Sequence, residues 1–341
     1  MLSSIEPKSY YEPKKIEDWV VAIQEELNQI NKNDTWTLVP RPTNKNVIGS
    51  KWIYRNKMNE KGAVIRNKAR YFLGLQIAQT SKGIFISQQK YASELLKKFN
   101  MNDSKAVSTP LCPNTKLSLD CTSEAVPSTL YRFIIGSLLY LTASKPDIMY
   151  FVGLVARFQS NPKMSHLQAA KRILRYVKGT IFYGLHYIFF SPTMTIAAFS
   201  DADWGRSLPD RKSTSGCCYI LGSNVVSWLS KKQNTVSLST SEAEYIVASQ
   251  AGSQLLWMQS TLTDLGLHFS MLPKLFCDNQ SAIAISKNPT LHWKSKYIDI
   301  RYHFLRDKVQ KGLLDITYLP TVDQIADIMT KPLLPHRFST L

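Results

Sequence analysis

The chain has 341 residues, of which 44% are hydrophobic, enough for two globular units that each bury a core, and this excludes a disordered protein. Lys and Arg outnumber Asp and Glu by 42 to 25, a formal net charge of +17, so a polyanionic partner such as nucleic acid is expected. The most apolar stretch, FIIGSLLYLTAS from Phe133, is cut off by Lys145, Pro146 and Asp147, well under the ~20 apolar residues of a membrane span.

The N-terminus carries no apolar signal core, so secretion is not expected. The cysteines, Cys112, Cys121, Cys217, Cys218 and Cys277, are odd in number and form no CxxC pair, which fits reduced thiols in an intracellular protein, cytoplasmic and/or nuclear.

In chain order, EDWVVAIQEELNQI reads as an amphipathic helix with Trp19, Ile23, Leu27 and Ile30 on one face. DTWTLVP and SKWIYRNK read as strands, and NEKG turns SKWIYRNKM back onto AVIRNKAR as a basic hairpin, either a solvated face or a phosphate-binding ribbon. From Tyr71, two apolar strands flank TSKG and a helix starts near Gln88. A polar stretch with Pro110, Pro113 and Pro127 reads as a linker, followed by apolar helices around YRFIIGSLLYLTA and PDIMYFVGLVARF. A third helix, SHLQAAKRILRYVKG, puts Lys171, Arg175 and Lys178 opposite its apolar side, a stripe that suits phosphates or plain solvent equally. The last segment runs strand TMTIAAFSD, strands STSGCCYILG and NVVSWLSKKQ, a long helix ending at Gly266, strand PKLFCDN, two helices, strand LDITYLP and a final helix VDQIADIMTK. Three strands, a helix, then alternation describe a mixed sheet covered by helices.

Four acids recur near element ends here: Asp201, Glu244, Asp278 and Asp327. Parallel pairing of the first and fourth strands brings Asp201 beside Asp278, and like charges so placed repel unless a cation lies between them. A capping box can be drawn as Ser239 with Glu242 or Ser241 with Glu244. Periodicity separates them: Glu244 shares a stripe with Ala248, Ala251, Leu255, Met258 and Leu262, so Glu242 is free to serve the cap and Glu244 faces inward. Asp323 is the natural helix-start acid, which releases Asp327 for another role. Hard oxygen ligands without convergent His or Cys suit Mg²⁺ or Mn²⁺, and two such ions are the arrangement that splits a phosphodiester.

SDADW, SEAEYIVAS, FCDNQSAI, KYIDIRYHFLRDKV and LPTVDQIADIMTK, in that order, resemble the ribonuclease H domain of Ty1/copia-type retrotransposon Pol polyproteins. GSLLYLTASKPDIMYFVGLVARF with HLQAAKRILRYVKGT resembles the connection before it. NDTWTLVPRP with IGSKWIYRNKMNEKGAVIRNKAR resembles the start of the family's reverse transcriptase, and YFLGLQIAQTSKGIFISQQKYASELLKKFNM its end. The resemblance implies an α/β ribonuclease H-like, mixed five-stranded sheet with helices over 190–335, preceded by an incomplete reverse transcriptase fingers/thumb/connection region (α+β). That region divides into a fingers-like fragment, 15–70, a C-terminal reverse transcriptase fragment, 71–108, a linker, 109–130, and a helical connection, 131–185.

By the same resemblance, Asp201, Glu244, Asp278 and Asp327 are the catalytic and metal-binding carboxylates, holding two Mg²⁺ or Mn²⁺ ions, and the partner is an RNA·DNA hybrid or other nucleic acid. Lys171, Arg175 and Lys178, with Lys231 and Lys232, would hold its backbone. Asp203 matches no catalytic position and reads as a turn residue. Asp299 and His303 belong to a shared motif of no assigned role, Tyr297 stands where the family has histidine, and the loop before the last helix lacks the histidine common in the wider family. NKAR abuts YFLGLQ at Arg70, where the family inserts the polymerase palm, and no Tyr-x-Asp-Asp occurs. The expectation is therefore a metal-dependent ribonuclease whose RNA-directed DNA polymerase activity is lost. The alternative is a catalytically inactive remnant that binds nucleic acid nonspecifically.

Overall fold

The computed structural model describes residues 16–32, 52–58, 64–71, 75–113, 115, 117–118, 122–188, 194–207, 209–269, 271–287 and 304–341. The strand read in DTWTLVP and the positions Tyr297, Asp299 and His303 lie outside them. The chain divides into two compact units, Met1–Gln76 and Ile77–Leu341.

In the first unit, α1 (Glu17–Lys32) begins with Glu17 and Asp18, acids that suit the positive end of a helix, and buries Trp19 and Ala22. β1 (Trp52–Met58) and β2 (Val64–Tyr71) form the hairpin read from the sequence, paired antiparallel from Trp52↔Tyr71 to Met58↔Val64.

The second unit opens with β3 (Gln76–Thr80), β4 (Gly83–Ser87) and α2 (Gln89–Lys98). Then come α3 (Ser128–Leu141), α4 (Met149–Ala156), α5 (Met164–Gly179) and β5 (Leu185–Ile188). β5 was not legible in the sequence; it pairs antiparallel with β4, giving β3-β4-β5. Helices α2 to α5 share one apolar core with Leu111 and Val126, two residues of the stretch read as a linker. Inside it, buried Lys145 donates from Nζ to the carbonyls of Thr180 (2.6 Å) and Tyr183 (3.2 Å), so the end of α3 is fastened beyond the end of α5.

The remaining elements are β6 (Ile196–Asp203), β7 (Thr214–Leu221), β8 (Asn224–Lys232), α6 (Thr240–Asp264), β9 (Lys274–Cys277), α7 (Gln280–Lys287), α8 (Phe304–Gln310) and β10 (Asp315–Tyr318). They form a five-stranded mixed sheet in the order β10-β9-β6-β7-β8, with β6-β7-β8 antiparallel and β6-β9-β10 parallel. A second core, including Ala198, Cys217, Tyr245, Val247, Leu255, Leu275 and Ile316, lies between α6 and one sheet face. Leu265 closes α6, and Gly266 leaves it at φ +85°, a left-handed conformation that glycine adopts without a Cβ penalty.

The final helix expected over VDQIADIMTK does not form. Two short 3₁₀ turns, Thr321–Asp323 and Ile325–Met329, stand there instead. The break is at Gln324, whose backbone is extended (φ −74°, ψ 98°) because its buried side chain donates to the Ser200 carbonyl at 3.0 Å and docks on β6. After the second turn, α9 (Pro335–Thr340) returns to the helical core, where Phe338 meets Phe151 and Tyr176 edge-on. Among the described residues no helix is long and apolar enough to cross a membrane.

Candidate active site

The parallel register of β6 and β9 ends with Ser200 opposite Cys277, which makes the next residues, Asp201 and Asp278, neighbours at the carboxyl ends of the two strands. β6 itself runs on to Asp203, paired with Thr214 of β7, so Asp203 is a strand residue and not a turn residue. Its carboxylate is ion-paired with Arg206 at 3.2 Å.

Glu244 and Glu242 divide their tasks by helical phase. The Ser239 hydroxyl accepts from the Glu242 amide, and the Glu242 carboxylate accepts from the Leu238 amide at 2.7 Å, so Glu242 secures the start of α6. Two residues on, Glu244 turns to the sheet, where Oε1 accepts from the Ala202 amide at 3.0 Å and Oε2 lies 3.9 Å from Cys277 Sγ. Asp327 arrives on the Ile325–Met329 turn, which settles over β6 and β7. Gly216, opposite Asp201 in the register, makes room for it: a Cβ there would lie 2.6 Å from Thr330 Cγ2 and 2.8 Å from Met329 Cβ.

Asp201, Glu244 and Asp327 are 2%, 5% and 1% exposed, while Asp278 is partly open. Burial, reinforced by the Asp327 and Asp278 charges and opposed by Lys331 and a Thr330 hydrogen bond, pushes the Asp201 carboxyl up to about 7. Burial and the Asp201 charge push Glu244 well above the carboxylate range. Two cations answer these acids. Lys331 Nζ lies 2.6 Å from Asp327 Oδ1 and 3.6 Å from Asp201 Oδ1, and Arg337 Nη2 lies 2.6 Å from Asp327 Oδ2. Burial pulls the Lys331 ammonium down, but the facing Asp201 and Asp327 carboxylates more than offset this. Thr330 Oγ1 donates to Asp201 Oδ2, and Thr321 Oγ1 donates to Asp278 Oδ2 at 2.8 Å.

Both cations lie on Asp327, and among the described residues no lysine or arginine is ion-paired with Glu244 or Asp278. Ligand atoms of Glu244, Cys277 and Asp278 fall within 4.8 Å of one another. A site where burial first, and neighbouring carboxylate charge second, raises Asp201 and Glu244, and which offers mainly hard oxygen donors, fits a divalent cation of the Mg²⁺ or Mn²⁺ type.

Comparison with known proteins supplies the lineage. No family model matches the chain. It is 42% identical over 263 residues to the retrovirus-related Pol polyprotein from transposon RE1 of Arabidopsis thaliana, covering 77% of this chain and 18% of that protein. It is 37% identical over 283 residues to the corresponding polyprotein from transposon TNT 1-94 of Nicotiana tabacum, covering 79% of this chain and 21% of that protein. The chain belongs to the Ty1/copia-type retrotransposon Pol family. It spans about a fifth of the length of those two relatives. Among solved structures, the N-terminal RNase H domain of a Mycobacterium tuberculosis protein matches at 12% identity with a TM-score of 0.28, covering 40% of this chain and 91% of that one. That likeness is too loose to support anything, and the sheet rests on its own registers.

In this Pol-family chain the basic residues singled out in the sequence have separate fates. Arg175 Nε donates to the Lys105 carbonyl at 2.6 Å, and Lys178 donates to the carbonyls of Asn102 and of Ser104 (2.7 Å), so both fasten the 102–105 segment onto α5. Lys171 and Lys231 are exposed. Lys232 is ion-paired with Asp210 at 2.6 Å. Partial burial raises Asp210, but Lys232 and neighbouring hydrogen bonds win and hold it at about 2. These two residues line an open cleft of about 1020 Å³, shared with Arg157, Arg206 and Arg211. Arg206 is paired with Asp203 and Lys232 with Asp210, so among the described residues the cleft keeps a net positive lining through Arg157 and Arg211.

Sequence reasoning did not find Thr321, Thr330, Lys331 or Arg337. The first three flank Asp327 closely in sequence, and a Thr or Lys there reads as ordinary surface. Arg337 lay beyond the last expected helix and gave no periodic signal.

Proposed function

We propose that this chain is a metal-dependent ribonuclease H-type endonuclease that cleaves the RNA strand of RNA·DNA hybrids, and that its polymerase chemistry is lost. The observation that carries the reading is that Asp201, Glu244, Asp278 and Asp327, three of them buried, stand on two strand ends, a helix and a turn, with Asp201 bearing electrostatically on each of the other three. These four carboxylates would hold two Mg²⁺ or Mn²⁺ ions, which when bound activate the attacking water and stabilise the departing oxygen. The chain's own polar groups orient the ligands. The Ala202 amide fixes one Glu244 oxygen, Thr330 holds Asp201 and Thr321 holds Asp278. The cleft of Arg157, Arg206, Arg211 and Lys232 offers the charge that a nucleic-acid backbone requires, and the 2′-hydroxyls and shape of a mixed duplex would set its selectivity. Loss of polymerase activity follows from the junction at Arg70 and the missing Tyr-x-Asp-Asp, since polymerisation needs its own pair of metal-binding carboxylates.

The rival reading is an inert remnant that binds nucleic acid nonspecifically, and it is favoured by that same missing palm. One experiment separates them. The full chain is incubated with end-labelled RNA·DNA hybrid and Mg²⁺ or Mn²⁺ beside Asp278→Asn and Asp203→Asn. Cleavage by the unmodified chain is expected, with a loss on the order of 100-fold or more in Asp278→Asn and a change within about threefold in Asp203→Asn. No cleavage by the unmodified chain refutes the enzyme, and equal cleavage by Asp278→Asn refutes the site. The full chain is required because Phe338, in α9, lies in the helical core, so the sheet cannot be excised with its last helix in place.

A further inference from the structure

We infer that Arg337 is a positioning residue for two of the four carboxylates, holding Asp327 directly and Asp278 through Thr321; the inference rests on the hydrolytic reading above. Arg337 Nη2 lies 2.6 Å from Asp327 Oδ2 and also donates to the Thr321 carbonyl. The hydroxyl of that same Thr321 donates to Asp278 Oδ2 at 2.8 Å. One guanidinium therefore fixes the 3₁₀ turn that carries Asp327 and the preceding turn that steadies Asp278.

Its own position is set from elsewhere. The next residue, Phe338, is 6% exposed and packs edge-on against Phe151 of α4 (ring centroids 5.9 Å apart) and Tyr176 of α5 (5.6 Å). Tyr176 in turn donates to Asp147 at 2.5 Å. The helical core thus anchors the clamp that sets two acids at the end of the sheet.

Lys331 provides the contrast. It lies two residues past the turn that carries Asp327 and bridges Asp327 to Asp201 of β6, whereas Arg337 links Asp327 to the separate Thr321 turn that steadies Asp278. A guanidinium holds two acceptors at a fixed mutual angle, whereas an ammonium is a point charge on a flexible stem. Position, and not charge alone, is what Arg337 adds.

The full chain, Arg337→Ala, Arg337→Lys and Phe338→Ala are compared in hybrid cleavage and in Mn²⁺ binding, read from the free-ion spin resonance signal. Residues that orient metal ligands contribute about 10–100-fold to affinity or activity. Arg337→Ala is accordingly expected to lose at least about tenfold in kcat, with KM for the hybrid within about twofold, and to bind Mn²⁺ several-fold more weakly. Arg337→Lys should restore only part of this, guanidinium ion added to Arg337→Ala should recover activity, and Phe338→Ala should fall between. Unchanged kcat and Mn²⁺ binding in Arg337→Ala, or full restoration by lysine, overturns the inference. If Arg337→Ala fails to fold, Arg337→Lys carries the test by the same kcat and Mn²⁺ readouts. Absence of cleavage by the unmodified chain would instead refute the hydrolytic reading, and Mn²⁺ binding would still decide the role of Arg337.

Discussion

The carboxylates at the ends of β6 and β9 and the cations along α5 are two charged groups that the sequence offers as candidate site residues, and the fold treats them in opposite ways. On α5, Arg175 and Lys178 are absorbed by backbone carbonyls of the 102–105 segment, so their charge completes local structure. At the sheet, acids are brought together and buried against one another's repulsion, which no folding requirement explains. Charge that is satisfied marks architecture; charge gathered at a cost marks chemistry.

The largest expected effect tests both halves together. Glu244→Gln should reduce hybrid cleavage on the order of 100-fold with little loss of folding, since it keeps the shape and removes the charge. Arg175→Ala should leave kcat within about twofold and lower Tm by a few degrees, as for a lost hydrogen bond to a charged group. Equal kinetic losses in the two variants would erase the contrast.

A smaller effect concerns pH. An acid whose pKa is raised on folding keeps its proton to higher pH in the folded chain than in the unfolded one. Its stabilising contribution is therefore full below the unfolded value, ~4, and is lost as pH rises towards the folded one. For Asp201 that window closes at about 7. The chelated chain should have a lower Tm at pH 8 than at pH 5.5, Mg²⁺ should recover more at pH 8, and Asp201→Asn should flatten the difference. A slope unchanged by Asp201→Asn would show that the burial of this acid costs nothing.

The smallest effect sharpens the assignment of basic surface. Arg211 is an exposed residue lining the cleft, with a left-handed backbone at φ 54°. Arg211→Ala should weaken hybrid binding modestly and reduce the slope of log affinity against log salt by about one, the signature of one lost phosphate contact. Lys171→Ala, measured in parallel by fluorescence anisotropy, tests whether α5 contributes; an equal drop there would restore the stripe as a binding surface.

Legibility in the sequence followed the range of the interaction. Glu244 separates from Glu242 because helical phase is a local property, and Asp201 meets Asp278 because a parallel crossover leaves few alternatives. The last helix was misread because Gln324 looks like any helical residue until its amide finds the Ser200 carbonyl, 124 residues away. Arg175 and Lys178 misled for the same reason, their carbonyl partners lying 70 and more residues away. β5 is only four residues long and alternates in exposure, too short a pattern to stand out until β4 pairs with it.

Gly216 carries a consequence of its own. It has no functional group and sits in the middle of a strand, yet the space it leaves is what admits the turn bearing Asp327. A single methyl group there would push an acid out of the site without altering any acid, so a mutational scan would score a featureless glycine alongside the catalytic carboxylates. Part of what makes this site is an atom that is missing.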